Sequence, residues 1–175
     1  MIDDGIVQVV RGDLTRERSD AVVNVMYLAG DHLALTPTGR ALFRVGGPQL
    51  EEAVASLGEF GVGQARLTSG FGLPAGFAVH LLLPSIAQAN LARTGIARGV
   101  AEAVTVALRS GAHRVSLPPI GPTATQPLTE SIGRVMLGVL HDLAFRADAL
   151  ELVRIVCPDA VSYEAMVRAI ERGLE

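Results

Sequence analysis

The sequence predicts a three-layer α/β/α fold around a mixed, largely parallel β-sheet. Three observations predict it. Short aliphatic and β-branched runs of strand length come first, and in the second half such runs alternate with longer segments of helical periodicity. That strand–helix–strand order implies parallel strands joined by right-handed crossovers. The chain is 49% hydrophobic but only 4% aromatic, with no Trp, so its core is built from Val, Leu, Ile and Ala. At 175 residues it fits one domain, read as 1–175, large enough to bury a core without staples.

The elements follow in chain order. Residues 6–10 form a short β-branched strand, broken at Gly12-Asp13. Residues 21–25 are continuously apolar, as in a strand buried on both faces. Residues 28–39 are mixed and carry no assigned element. Residues 40–57 read as helix interrupted at Gly46-Gly47-Pro48, where Pro48 suits the first position of a renewed helix. Strands follow at 64–68 and 77–83, separated by the turn residues Leu73-Pro74-Ala75-Gly76. Ile96, Val100, Ala103, Val104, Ala107 and Leu108 predict a helix over 91–110, with Asn90 as N-cap and Gly111 just past its end. A strand at 114–117 ends at Pro118-Pro119. Residues 128–143 are the clearest helix, with Ile132, Val135, Met136, Val139, Leu140 and Leu143 in one stripe. Residues 150–156 form the last strand, and Asp159 caps a terminal helix that turns Tyr163, Met166, Val167 and Ile170 inward.

Composition and motif spacing exclude several chemistries. The single Cys157 can form neither an internal disulfide nor a cysteine metal cluster, and reads as a small buried hydrophobe at a strand end. The four His residues are scattered without metal-ligand spacing, so no metal site is assigned. His80, inside an apolar strand, reads as a core histidine with a hydrogen-bond partner. All 15 basic residues are Arg, so no Walker lysine exists. Gly61-Val62-Gly63 lacks a third glycine and precedes a strand, unlike a dinucleotide fingerprint. Thr68-Ser69-Gly70 lacks the glycine two residues before the serine that a nucleophile elbow needs. A net charge of −3, scarce aromatics and no basic run argue against nucleic acid. The acidic start MIDDGIVQVV is unlike a signal peptide, and no apolar run approaches the ~20 residues of a membrane helix, so the expectation is a soluble cytoplasmic protein without a membrane partner.

Three segments, in order, resemble the macrodomain family, the ADP-ribose-binding α/β/α module. Val10-Arg11-Gly12-Asp13-Leu14-Thr15 with Asp20-Ala21-Val22-Val23-Asn24 is similar to the family's "GDIT…DAIVNAAN". Gly63-Gln64-Ala65-Arg66-Leu67-Thr68-Ser69-Gly70, then Leu73-Pro74 and Ala78-Val79-His80 to Pro84, resembles "GeAviTsGynLp…viHtvgP". Val115-Ser116-Leu117-Pro118-Pro119-Ile120-Gly121 with Pro127 is similar to "iafPaIgtGvyGyP". The set implies a macrodomain-like fold. It also implies a site for ADP-ribose or a related nucleotide at Asp13, Leu14, Asn24, Tyr27, Gly121, Thr123, Ala124 and Thr125, with no cofactor.

In that resemblance Asp13 accepts a hydrogen bond from the adenine amino group, helped by the backbone of Leu14. Asp13 also suits a turn-organising role beside Gly12. Elsewhere the pattern departs from the family. Tyr27 stands in place of the last Asn of "NAAN", which contacts the distal ribose and assists hydrolysis; Tyr offers one hydroxyl in place of an amide's paired donor and acceptor. The first phosphate loop carries one glycine, Gly30, and an acid, Asp31. The second reads Gly121-Pro122-Thr123-Ala124-Thr125-Gln126, where Pro122 has no N–H for a phosphate and Thr125 replaces an aromatic. Cys157 stands where an aromatic often stacks on adenine. The substitute phosphate ligands offered by the sequence are Thr36, Thr38, Thr123, Thr125, Arg44 and above all Arg40.

The reading is therefore a divergent macrodomain with weakened phosphate loops, in which binding ranks ahead of turnover and no catalytic residue is assigned. One alternative is a non-catalytic interaction module on the same scaffold, with Leu33-Ala34-Leu35 as a contact surface and a homo-oligomer as one form it could take. The other is a hydrolase that removes ADP-ribose from proteins or acyl groups from ADP-ribose.

Overall fold

A computed structural model describes residues 2–3, 5–29, 32–84, 89–120 and 130–172. Its strands are β1 (Ile2–Asp3), β2 (Val7–Arg11), β3 (Ala21–Ala29), β4 (His32–Leu35), β5 (Ala65–Ser69), β6 (Phe77–Pro84), β7 (Arg114–Leu117) and β8 (Leu152–Cys157). Its helices are α1 (Pro37–Gly46), α2 (Pro48–Ala55), α3 (Ala89–Arg109), α4 (Glu130–Arg146) and α5 (Ala160–Glu171). The sheet order is β1-β2-β8-β7-β3-β6-β5. The central strands β2, β8, β7, β3 and β6 are parallel, and β1 and β5 are antiparallel edges. Helices α3, α4 and α5 pack on one face, with α1 and α2 on the other. This is the three-layer α/β/α architecture the residue pattern predicts.

Alternation along the strands sorts the core. Val23, Val25, Val79, Leu81, Val153 and Ile155 face α3, α4 and α5, where Val100, Val104, Met136, Leu140 and Met166 meet them. A smaller cluster of Val22, Ala78 and Val156 meets Leu42 and Leu50 of α1 and α2, with Leu14 and Leu73. Burial of these aliphatic side chains is the main stabilising term, at roughly 25 cal/mol per Å² of apolar surface.

Local chemistry sets the helix ends. The Thr36 hydroxyl accepts from Gly39 N at 2.9 Å, and Pro37 takes the first helical position. Gly47, at φ +78°, ends α1 by donating its N–H to Phe43 O, and Pro48 restarts the chain as α2. Asp159 accepts from Ser162 N at 2.7 Å to cap α5, as its sequence position predicts. Gly111, at φ +86°, closes α3. At the base of the sheet, Asp20 Oδ2 accepts from both His113 N and Arg114 N at 2.8 Å, tying the start of β3 to β7.

The structure revises the expected elements in four places. β3 runs on to Ala29 instead of stopping at Val25, because β4 supplies an antiparallel partner for Met26 to Ala29. The unassigned stretch 28–39 holds β4 and the first turn of α1, whose Thr36-Pro37 start signal precedes Arg40. Helix α3 already includes Ala89, so Asn90 lies inside it and is not its N-cap. β1, absent from the expected set, adds an antiparallel edge to β2. The start expected for the fourth helix at 128 falls outside the described residues, where α4 is seen from Glu130.

Candidate functional site at the β3/β7 fork

In a parallel sheet, connections leaving neighbouring strands in opposite directions open a crevice at the carboxyl ends, and ligands occupy it. Here that point lies between β3 and β7: the next parallel strand in the chain after β3 is β6, on one side, and after β7 it is β8, on the other. The two strands pair only at Ala21–Val115 and Val22–Ser116. Beyond that they part, and β4 lines the β7-side edge of β3, with Met26 opposite Leu35 and Leu28 opposite Leu33.

Asp13 sits just past β2, where Gly12 N donates to Cys157 O at 2.9 Å and so joins the ends of β2 and β8. Its Oδ1 accepts from Thr15 N at 3.0 Å and from the Thr15 hydroxyl at 2.7 Å, capping a single 3-10 turn at Leu14–Arg16. Its other oxygen, Oδ2, lies 3.6 Å from Arg16 Nε. The Thr15 hydroxyl bond is the main influence holding the Asp13 carboxyl below its ordinary range, with Arg16 and Arg44 adding to it. The side chain stays 55% exposed, so the turn fixes the carboxylate without hiding it.

The other predicted residues have different surroundings. Leu14 is buried in the α1/α2 cluster. Asn24 is 2% exposed and donates its Nδ2 to His80 Nδ1 at 3.2 Å. Tyr27 is 3% exposed and belongs to the α3-side core with Leu83 and Ile96, where burial pushes its phenol well above its ordinary pKa. Gly121, Thr123, Ala124 and Thr125 lie outside the described residues, as does the Gly30-Asp31 turn. Cys157 is fully buried, which pushes its thiol up to about 12 and makes it a core residue, not a nucleophile. Arg40 points along α1 to the β4 side, where Nη1 donates to Leu35 O at 2.8 Å.

Two features escaped sequence reasoning. One is the buried relay Asn24–His80–Thr68, in which the His80 Nε2 to Thr68 Oγ1 distance is 2.9 Å; sequence predicted a partner for His80 but not which. The other is a groove of about 610 Å³ between β4, α1 and α2. The alternation of Leu33 and Leu35 around Ala34 was its only signal. Among the described residues, no group of three His, Cys, Asp or Glu could hold a metal ion. No helix among them is long and apolar enough to cross a membrane.

The Macro domain family model matches residues 36–127, more than half of the chain. A protein from Aeropyrum pernix is 30% identical over 124 residues, 69% of this chain and 62% of its own length. A macro domain-containing protein from Chlorobaculum tepidum, CT2219, is 35% identical over 86 residues, 48% of either chain. The matched regions thus span about half to three-fifths of these relatives. Among solved structures, a variant of the Oceanobacillus iheyensis macrodomain superposes with a TM-score of 0.86 at 22% identity, covering 98% of this chain and 94% of its own. The same macrodomain with ADP gives 0.85 at 21% identity, covering 98% and 93%. The Trypanosoma brucei macrodomain in complex with ADP gives 0.78 at 23%, covering 94% and 69%. The fold with its β3/β7 fork and the family match agree: this chain belongs to the macrodomain family.

Proposed function

We propose that this chain binds ADP-ribose or a related nucleotide weakly, with the adenine at Asp13. One observation carries the reading. Asp13 presents a fixed, half-exposed carboxylate at the carboxyl end of β2, where an exocyclic amine can donate to it. Family membership supports it, as do two macrodomains of the same fold solved with ADP. Weakness follows from the other end of the site. Tyr27 is packed into the core, and strand β4 replaces a glycine-rich crossing that would leave N–H groups open to phosphate. A hydrogen bond to a charged group contributes roughly 1.5–3 kcal/mol, so losing about two weakens binding roughly 10²–10⁴-fold. No hydrolytic role is assigned to Tyr27, since a buried phenol with a raised pKa is no general base at neutral pH.

Calorimetric titration of ADP-ribose into the full chain tests the reading. Saturable binding is expected, weakened at least about tenfold by Asp13→Ala. Absence of heat at millimolar ligand, or equal affinity in the Asp13→Ala protein, would sink it. A second reading, an interaction module on the macrodomain scaffold, draws on the 56% exposure of Leu33 at the tip side of β4. A stable oligomer in light scattering, together with no nucleotide binding, would favour it.

A further inference from the structure

We propose that the groove between β4, α1 and α2 is a binding site for a small apolar monoanion: a carboxylate or sulfonate with one charged end on an aliphatic or aromatic body. This goes beyond the nucleotide reading: it does not use Asp13, and it assigns Arg40 and Arg44, which the sequence offered as phosphate ligands, to a separate groove. Met26, Leu35, Phe43 and Val54 line the groove, and Leu33 stands exposed at its edge. Pairing dictates that composition. Leu35 lies opposite Met26 and Leu33 opposite Leu28, so the β4 leucines project to the face covered by α1. Phe43 is held by stacking on His80, with ring centroids 6.2 Å apart, which gives the apolar lining a fixed aromatic wall.

Charge decides the ligand class. Arg40 and Arg44, one turn apart on α1, stand on one side. The Arg40 bond to Leu35 O holds that guanidinium at the groove, and a guanidinium carries five N–H donors, so others remain for a ligand. Glu51 lines the same groove from α2 and opposes a second negative charge. An occupant with one anionic end directed to α1 and an uncharged body over the leucines satisfies both sides. A nucleotide carrying several phosphate charges does not. Size points the same way. The open groove, of about 610 Å³, has the volume of a small-molecule site, roughly 300–1,000 Å³. A stable protein interface instead needs about 800 Å² from each partner. Helix α1 separates this groove from Asp13, because it packs against the Leu14–Arg16 turn as well as against α2. Arg44 is also felt by Asp13, which makes Arg40 the cleaner probe.

The test is titration of 2-naphthoate, with neutral 2-naphthamide as comparison, into the isotopically labelled full chain, read by amide chemical shifts. Saturable shifts centred on Leu33, Leu35 and Val54 are expected, with naphthoate binding more tightly than naphthamide. Arg40→Gln should weaken naphthoate at least about fivefold, and Glu51→Gln should tighten it about two- to fivefold. Both side chains are exposed, so both variants keep the core intact. Equal affinity for the neutral probe, no change in either variant, or no saturable binding at millimolar probe would overturn the proposal. So would probe-free shifts of the same residues that grow with protein concentration, which would assign the groove to a second copy of the chain. Naphthoate affinity unchanged by Asp13→Ala, the variant in which ADP-ribose binding weakens, separates this site from the nucleotide reading.

Discussion

His80 shows how one residue can couple burial, hydrogen bonding and pH. It is fully buried on β6 between Asn24 and Thr68. Asn24 Nδ2 can only donate, so Nδ1 accepts and Nε2 carries the proton. Nε2 then donates to the Thr68 hydroxyl, which donates in turn to Ser69 O at 3.0 Å. Adding a proton at Nδ1 would set two donors against each other, and burial lowers the His80 pKa to about 4. A histidine freed from burial on unfolding has the ordinary value of about 6.5. The folded state therefore holds its full advantage above pH 6.5 and loses it between pH 6.5 and 4, by about 3 kcal/mol in all. Urea unfolding at pH 7 and at pH 4.5 should show this loss in the parent chain. A His80→Gln protein should lack most of that slope, and an unchanged slope would refute the assignment.

At the scale of elements, α1 matters most because it touches the sheet, the Asp13 turn and the groove. Its close approach depends on Gly39. An added Cβ there would stand 2.8 Å from Asn24 Oδ1, an atom already buried without a donor among the described residues. In an exposed helix, Gly→Ala stabilises by roughly 1 kcal/mol. In α1 the sign should reverse: Gly39→Ala must displace Asn24 and break its bond to His80. A net loss of about 1–3 kcal/mol is expected in thermal unfolding. A gain in melting temperature would refute this close approach of α1 to β3. Strand β4 belongs at this scale too. It converts the segment after β3 from a loop into a paired edge and creates the groove in the same step.

For the whole molecule, both hydrophobic clusters use the same sheet. Val22 and Ala78 face α1 and α2, while their neighbours Val23 and Val79 face α3. Neither layer can leave without exposing strands the other needs. We propose on this ground that residues 1–175 unfold as one cooperative unit. Loss of circular dichroism and exposure of the buried Cys157 thiol should share one urea midpoint. Thiol labelling at lower urea than the loss of helix signal would divide the chain into separable parts.

Much was legible in the sequence because it was written in local periodicity. The stripe from Ile132 to Leu143 gave the clearest helix signal, and the continuous run from Ala21 suited a strand buried on both faces; both elements form. Asp159 and Gly47-Pro48 announced helix boundaries by chemistry that acts within a turn. Asp13 was legible as a turn organiser, and it makes those turn-capping bonds while its carboxylate stays open, as the proposed adenine contact requires. What no local pattern could determine was whether β3 would stop at Val25. That depended on a partner strand arriving from residues 32–35, a pairing across a turn whose gain appears only once the sheet is assembled. The fate of Tyr27 was decided the same way: the strand's extension carries it to the α3 face, and the burial of its ring among aliphatic side chains holds it there. Sequence by itself determined the layers and the family to which they belong. The tertiary structure decided which side chains stay open to a ligand, because exposure depends on which neighbours arrive, and those neighbours are distant in the chain.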